Sequence, residues 1–192
     1  MRLIASILTA SLAVVALPAA AQDAEPFTGA SVVALGGIDH TSSGPGDPLT
    51  GFVYGGAVTY DLGEGKLRYG VEAEATGSTM DGCYTMGGTA VRSCTSFGRD
   101  LYVGGRVGVV LNPSLMLYGK AGYTNARATG TFDDPSTAAS PDLRFEGNDD
   151  GYRLGGGLEY DAGKFLIRTE YRYSDYGADR RHQGTVAVGV RF

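Results

Sequence analysis

Residues able to do chemistry are few in this chain. His40 and His182 are its two histidines, with Asp39 beside the first and Asp179 shortly before the second. A lipid-ester hydrolase needs a serine, a histidine and an acid within hydrogen-bond reach, and a rim protease needs a His–Asp pair. The residue types are present, but no spacing brings them together, so no catalytic residue is assigned and no enzymatic activity is expected. Cys83 and Cys94 are too few for a four-ligand zinc site or a disulfide scaffold, and no further ligands stand near them. Asp133, Asp134, Asp142, Glu146, Asp149 and Asp150 make one stretch acidic. They lack the regular spacing of a calcium loop, so a solvated surface is the simpler reading. Gly155-Gly156-Gly157 is not a phosphate cradle, because no helix follows it. No metal and no cofactor is expected.

A larger set of charged residues has a different regularity. Arg68, Glu72, Glu74, Arg106, Lys120, Arg153, Glu159, Arg168, Glu170, Arg172 and Arg191 all sit in alternating segments, on the parity opposite the apolar one. Phe52, Tyr54, Val58, Tyr60 and Leu62 alternate with Val53, Ala57, Thr59 and Asp61. Leu67, Tyr69, Val71 and Ala73 alternate with Arg68, Gly70, Glu72 and Glu74. Leu101, Val103, Val107 and Val109 oppose Tyr102, Gly104 and Arg106. Leu115, Leu117 and Tyr123 oppose Tyr118, Lys120 and Thr124. Tyr152, Leu154, Leu158 and Tyr160 oppose Arg153 and Glu159. Phe165, Ile167 and Tyr171 oppose Arg168, Glu170 and Arg172, and Val186, Val188, Val190 and Phe192 oppose Arg191. Period two is the signature of strands, and no window holds a helical stripe. With Phe27 to Ile38, whose Gly and Ala leave its faces unassigned, eight strands are expected.

Composition narrows what such strands can build. The chain has 192 residues with 31 Gly, 12 Tyr and no Trp, and only 19% are charged. Its net charge of -5 argues against a nucleic-acid partner, because little here would neutralise a run of phosphates. Met1-Arg2, the apolar run Leu3–Leu17, Pro18 and Ala19-Ala20-Ala21 read as an export signal, so residues 1–21 are expected to be removed and 22–192 to form one domain. Cys83 and Cys94 then lie in an oxidising compartment, where they are expected to pair.

Eight alternating strands fit either a soluble barrel with its apolar face inward or a transmembrane barrel with that face in lipid. Four features favour the second. Aromatics flank the apolar face: Tyr152 and Tyr160 lie ~26 Å apart along a strand, close to the height of a lipid-facing band once tilt is included. Gly is frequent on the charged face, where long side chains would need room inside a narrow barrel. Connections alternate in length, with 39–50, 77–98 and 130–150 long and 61–66, 112–114 and 161–164 short, as for outer loops and periplasmic turns. Finally, the chain ends on Phe192 with lipid-facing parity. The expected fold is all-β, an eight-stranded antiparallel transmembrane β-barrel. The charged faces then meet in the lumen. They form either a salt-bridge plug or, as the alternative, the lining of a narrow anion-leaning pore for small solutes.

The segment Arg181–Phe192 resembles the last strand of bacterial outer-membrane barrels, with Ala187 where such strands often carry Gly. Arg106-Val107-Gly108, Leu117-Tyr118-Gly119-Lys120-Ala121-Gly122-Tyr123 and Thr169-Glu170-Tyr171-Arg172-Tyr173-Ser174 resemble the opacity-type, OmpA-like small outer-membrane β-barrels called porin family proteins. The resemblance runs through the whole expected mature chain. It implies the outer membrane of a Gram-negative bacterium and a structural, adhesive or antigenic surface role without defined chemistry. It also implies a C-terminal signal (Val188, Val190, Phe192) read by the barrel-assembly machinery, and no peptidoglycan-binding domain after the barrel. Expected partners are membrane lipid and lipopolysaccharide, with divalent bridging at the acidic stretch as a sharper variant, and host or surface ligands at the outer loops. A membrane enzyme is the most distant alternative.

Overall fold

The computed structural model describes residues 25–41, 48–85, 91–134, 143–177 and 179–192. The leader expected at residues 1–21 lies outside them, as does Asp142. The alternating segments form antiparallel strands: β1 (Gly29–Thr41), β2 (Leu49–Glu64), β3 (Leu67–Ser78), β4 (Asp81–Thr85), β5 (Arg92–Asn112), β6 (Leu115–Asp133), β7 (Leu143–Ala162), β8 (Phe165–Asp175) and β9 (Arg180–Arg191). Strand β3 pairs with β5, and β1 pairs with β9, so eight of the nine strands close into a ring. The closing seam runs from Ser31↔Arg191 to Thr41↔Arg181. Closure leaves no unpaired backbone edge at the level of hydrocarbon, which is what a membrane demands of a sheet.

Parity sets the faces as expected. Phe52, Tyr54, Val58, Tyr60, Val71, Val103, Val107, Leu117, Leu154, Ile167 and Val188 are exposed on the outside of the ring, while the charges lie buried inside. The unassigned first strand resolves the same way: Ser31, Val33, Asp39 and Thr41 are buried, and Val32 and Ile38 are exposed. Tyr152 and Tyr173 meet on the outer surface near one end with ring centroids 6.4 Å apart.

Tight turns close the other end. Gly65 and Gly163 take positive φ (58° and 85°) in the β2–β3 and β7–β8 turns, a conformation glycine adopts without penalty. Asp161 accepts the Gly163 N–H at 2.8 Å, and Asn112 accepts the Ser114 N–H at 2.9 Å. These short turns mark the periplasmic end.

The long connections differ from expectation. Strands β5, β6 and β7 have 21, 19 and 20 residues, about twice what a tilted crossing needs, and they continue through much of 77–98 and 130–150. Above the membrane both faces of a strand meet water. Hydrophobic alternation therefore disappears there although the backbone ladder continues. Strand β4 joins this projection through β5, and its Cys83 is bonded to Cys94 directly across the pair.

Candidate functional site

Each barrel strand sends every second side chain inward, and an eight-stranded barrel is only wide enough to be filled by them. Arg68, Glu72, Glu74, Arg106, Lys120, Arg153, Glu159, Arg168, Glu170, Arg172 and Arg191 lie within the ring, nearly sealed from water. Asp39, Asp61, Asp100 and Arg181 join them, making eight basic and seven acidic groups among the described residues. The lumen is thus nearly charge-balanced, not basic as the eleven alone suggest. Three of the added four are acids that alternation does not single out: Asp39 and Asp61 lie near strand ends, and Asp100 follows an irregularity in β5.

All of these groups except Arg68 belong to one alternating column. At the periplasmic end Arg191 pairs with Glu159. Glu159 also accepts from Arg106 at 3.0 Å and Arg168 at 2.9 Å. Glu72 takes the next position, accepting from Arg168 at 2.8 Å, Arg106 at 3.4 Å and Lys120 at 2.7 Å. Lys120 reaches on to Glu170 at 2.8 Å and Glu74 at 3.2 Å. Glu74 holds Arg172 at 2.6 Å and Arg153 at 2.9 Å, and Arg153 holds Asp100 at 2.5 Å. Asp100 meets Arg181 at 3.3 Å, and Arg181 pairs with Asp39 at the outer mouth. Tyrosine faces fill the gaps: the Arg106 guanidinium lies 4.4 Å from the Tyr118 ring centre, and the Lys120 ammonium 4.9 Å from that of Tyr102. Every cation thus has a carboxylate neighbour, the arrangement that offsets the cost of burying charge.

The lumen is not uniform around its circumference. Val33, Ala57, Leu166 and Ala187 form a small apolar wall on the adjacent strands β2, β1, β9 and β8. Glycine makes the room. A methyl at Gly155 would lie 3.1 Å from Lys120 Cε and 3.4 Å from Arg172 Cβ, tighter than ordinary packing.

Residues Glu25–Thr28 fold back over the periplasmic mouth. Phe27 is fully buried against Met116 and Tyr118, and its φ of 65° is unusual for a bulky residue. Arg68 secures the segment: its Nε donates to the Pro26 carbonyl at 2.7 Å, and its guanidinium lies 3.4 Å from Glu25. At the other mouth Tyr176 donates to Asp100 at 2.8 Å, and Ser78 donates to Asp39 at 2.7 Å. In the adjoining connection burial pushes the Asp179 carboxyl above its ordinary range; the Asp149 charge adds to this and Arg181 opposes it.

The remaining candidates fall elsewhere. His40 and His182 are cross-strand partners on the outer surface of the seam, with Nδ1 of His40 3.0 Å from Thr50 Oγ1 and Nδ1 of His182 2.7 Å from Tyr171 Oη. Asp39 points inward to Arg181, so adjacent positions on one strand place it and His40 on opposite faces. Of the acidic stretch, Glu146 pairs with Arg144 at 2.9 Å, and Asp150 accepts from Asn125 at 2.7 Å and from Tyr123. Val188 and Phe192 are exposed, and the Phe192 N–H donates to the Ala30 carbonyl at 2.8 Å.

Comparison with known proteins identifies this architecture. No curated protein sequence matches. Among solved structures, Neisserial surface protein A is similar with a TM-score of 0.59 and 17% identity, covering 86% of this chain and 98% of that one. Ail, the attachment invasion locus protein of Yersinia pestis, is similar with a TM-score of 0.55 and 16% identity, covering 86% and 99%. These likenesses concern the fold. The family model for the outer membrane protein beta-barrel domain matches residues 8–192, and this chain belongs to that family.

Proposed function

We propose that the protein is a structural, surface-presenting barrel whose lumen is closed, and that it carries no catalysis of its own. The observation that supports this reading is the unbroken column of ion pairs from Arg191 to Asp39, capped by Phe27. Ions entering the lumen would have to displace buried pairs, and breaking such pairs is costly. Purified protein in planar bilayers is expected to give at most small, rare openings. Large steady channels would overturn the closed reading in favour of a narrow pore for small solutes. Ester and peptide assays with a His182→Ala control are expected to show no activity that depends on that histidine.

On the same reading, residues 1–21 are the removed leader. Val188, Val190 and Phe192 present the assembly signal to the barrel-insertion machinery. The exposed apolar belt contacts lipid and, in the outer leaflet, lipopolysaccharide. The projecting strands then meet ligands outside the cell. Ail has been solved in complex with the heparin analogue sucrose octasulfate. Here the projection carries Arg92, Arg99, Arg127 and Arg144; Arg127 and Arg144 lie against Glu146, and Arg99 donates to Asn125 and Asn148. Basic and acidic groups are thus interleaved on this surface.

A further inference from the structure

The closing seam carries both histidines of the chain. His40 of β1 and His182 of β9 stand directly opposite each other, one step below the outer end of the seam at Thr41↔Arg181. Their neighbours Asp39, Thr41, Arg181 and Gln183 are buried in the lumen, so parity turns both imidazoles outward, where they are half-buried. Residues opposite each other on one face of a sheet have Cβ atoms about 4.5–5.5 Å apart. Strand register, not a loop, therefore holds the two rings side by side.

What lies on either flank sets the direction of each ring. The strand order across the seam is β2, β1, β9, β8. Nδ1 of His40 lies 3.0 Å from Oγ1 of Thr50, its cross-strand partner on β2. Nδ1 of His182 lies 2.7 Å from Oη of Tyr171 on β8, and its ring centre lies 5.2 Å from that of Tyr173, its cross-strand partner there. Each Nδ1 is thus drawn to the flank away from the other histidine. In an imidazole, Nδ1 and Nε2 lie on opposite sides of the axis that leaves Cβ. With one Nδ1 drawn toward β2 and the other toward β8, the two Nε2 atoms lean toward each other over the seam. An Nδ1–H donated to each hydroxyl oxygen leaves the Nε2 lone pair for a metal ion. A hydrogen bond at the second ring nitrogen is what orients ligating histidines in general.

The surroundings add no third ligand. Among the described residues, no group of three or more His, Cys, Asp or Glu side chains is placed to hold a metal. The nearest charge along the same face of β9 is Arg180, and Asp175 lies 3.6 Å from it. Asp175 in turn accepts from Tyr173 Oη at 2.9 Å. We propose that His40 and His182 form a two-ligand site for a transition-metal cation of the zinc and copper class, bound through both Nε2 atoms with water in the remaining positions. Imidazole suits these ions, with Cu²⁺ held more tightly than Zn²⁺, whereas Mg²⁺ prefers oxygen ligands. The ion joins the first strand of the ring to the last, so its binding fastens the seam on which closure depends.

The test uses the whole barrel, without a histidine tag, in a zwitterionic detergent, titrated with Cu²⁺, Zn²⁺ and, as control, Mg²⁺. One Cu²⁺ or Zn²⁺ per barrel is expected, and no Mg²⁺. His40→Ala and His182→Ala should each weaken Cu²⁺ binding by about tenfold or more, because one imidazole alone cannot chelate. Pulsed electron paramagnetic resonance of the Cu²⁺ form should show two coupled imidazoles, and one in each single variant. Tyr171→Phe keeps both ligands but frees the His182 ring. It should weaken binding by about tenfold with two imidazoles still coupled. Zn²⁺ at a hundred times its Kd should shift the unfolding equilibrium about a hundredfold toward the folded barrel, and should not do so in the double histidine variant. All of these side chains are on the outer surface, and an unchanged heat-dependent gel mobility would show that the variants are folded. A single coupled imidazole in the unaltered protein would overturn the proposal. So would equal affinity in the histidine variants, which would place the ion on acids elsewhere, or one ion shared by two barrels, which would place it between copies.

Discussion

Strands β5, β6 and β7 pass through two environments. In the lumen Arg106 of β5 and Lys120 of β6 touch Glu72 of β3, which also meets Arg168 and is sealed from water. Farther along the same strands, Glu146 touches Arg144 and Arg127, but every group is about half exposed. The chemistry of the pairs is the same, and their consequences differ. Inside, an ion pair is obligatory, because an unpartnered charge there has neither water nor a counterion. Outside, the pair competes with water and is worth little. The backbone shows the same contrast: every strand of the ring is paired on both sides, whereas among the described residues the upper part of β7 has a strand on one side. Closure is enforced by hydrocarbon, and above the rim that constraint ends.

The sharpest way to break this contrast is to remove one carboxylate from each region. Glu72→Ala takes one carboxylate partner from three buried cations, leaves the sealed column with an excess positive charge, and is expected to cost about 3–5 kcal/mol. Glu146→Ala should cost less than about 0.5 kcal/mol. Urea unfolding of the two variants in lipid vesicles compares them directly, and similar losses would refute the distinction.

Phe27→Ala comes next. It removes a buried ring at the periplasmic mouth, with an expected loss of about 3 kcal/mol. It should also open the lumen from below: a cysteine at Met116, buried beneath Phe27, is expected to react with a small charged thiol reagent only when Phe27 is absent. Reaction at the same rate with Phe27 in place would show that the segment does not close this mouth.

The difference between the regions also governs what alternation could reveal. Within the lipid span, parity alone places Arg68, Glu72, Lys120 and Arg172, because one face must be apolar. It does not place Asp39, in a strand whose Gly and Ala leave both faces ambiguous. It does not place Asp100, which follows an irregularity between Phe97 and Asp100 that resets the register. Arg181 lies at the outer end of β9, before that strand's apolar alternation begins. Asp61 shares the parity of Thr59, so its signal is present, but its place next to a turn makes it read as part of the turn. Phe27 has no signal of this kind: its burial depends on a chain reversal that only Arg68 and the mouth specify. The upper halves of β6 and β7 are invisible to periodicity because water lies on both their faces.

Reducing Cys83–Cys94 tests whether the projection is energetically separate from the ring. The crosslink spans 11 residues, for which chain entropy suggests about 2.7 kcal/mol. That stabilisation should be confined to β4 and the start of β5. Reduction is expected to speed cleavage by trypsin at Arg92 and to leave the unfolding midpoint of the barrel unchanged.

The smallest effect expected is the most telling about solvent. Raising the ionic strength should weaken the Arg144–Glu146 contact, worth a few tenths of a kcal/mol, because mobile ions reach both partners. The Lys120–Glu72 contact lies where no mobile ion can enter a closed lumen. A double-mutant cycle on each pair at low and high salt should therefore show a coupling that shrinks for the first and stays constant for the second. If both shrink together, ions reach the middle of the barrel. The column of pairs would then be permeable on the timescale of unfolding, even where no steady current is recorded.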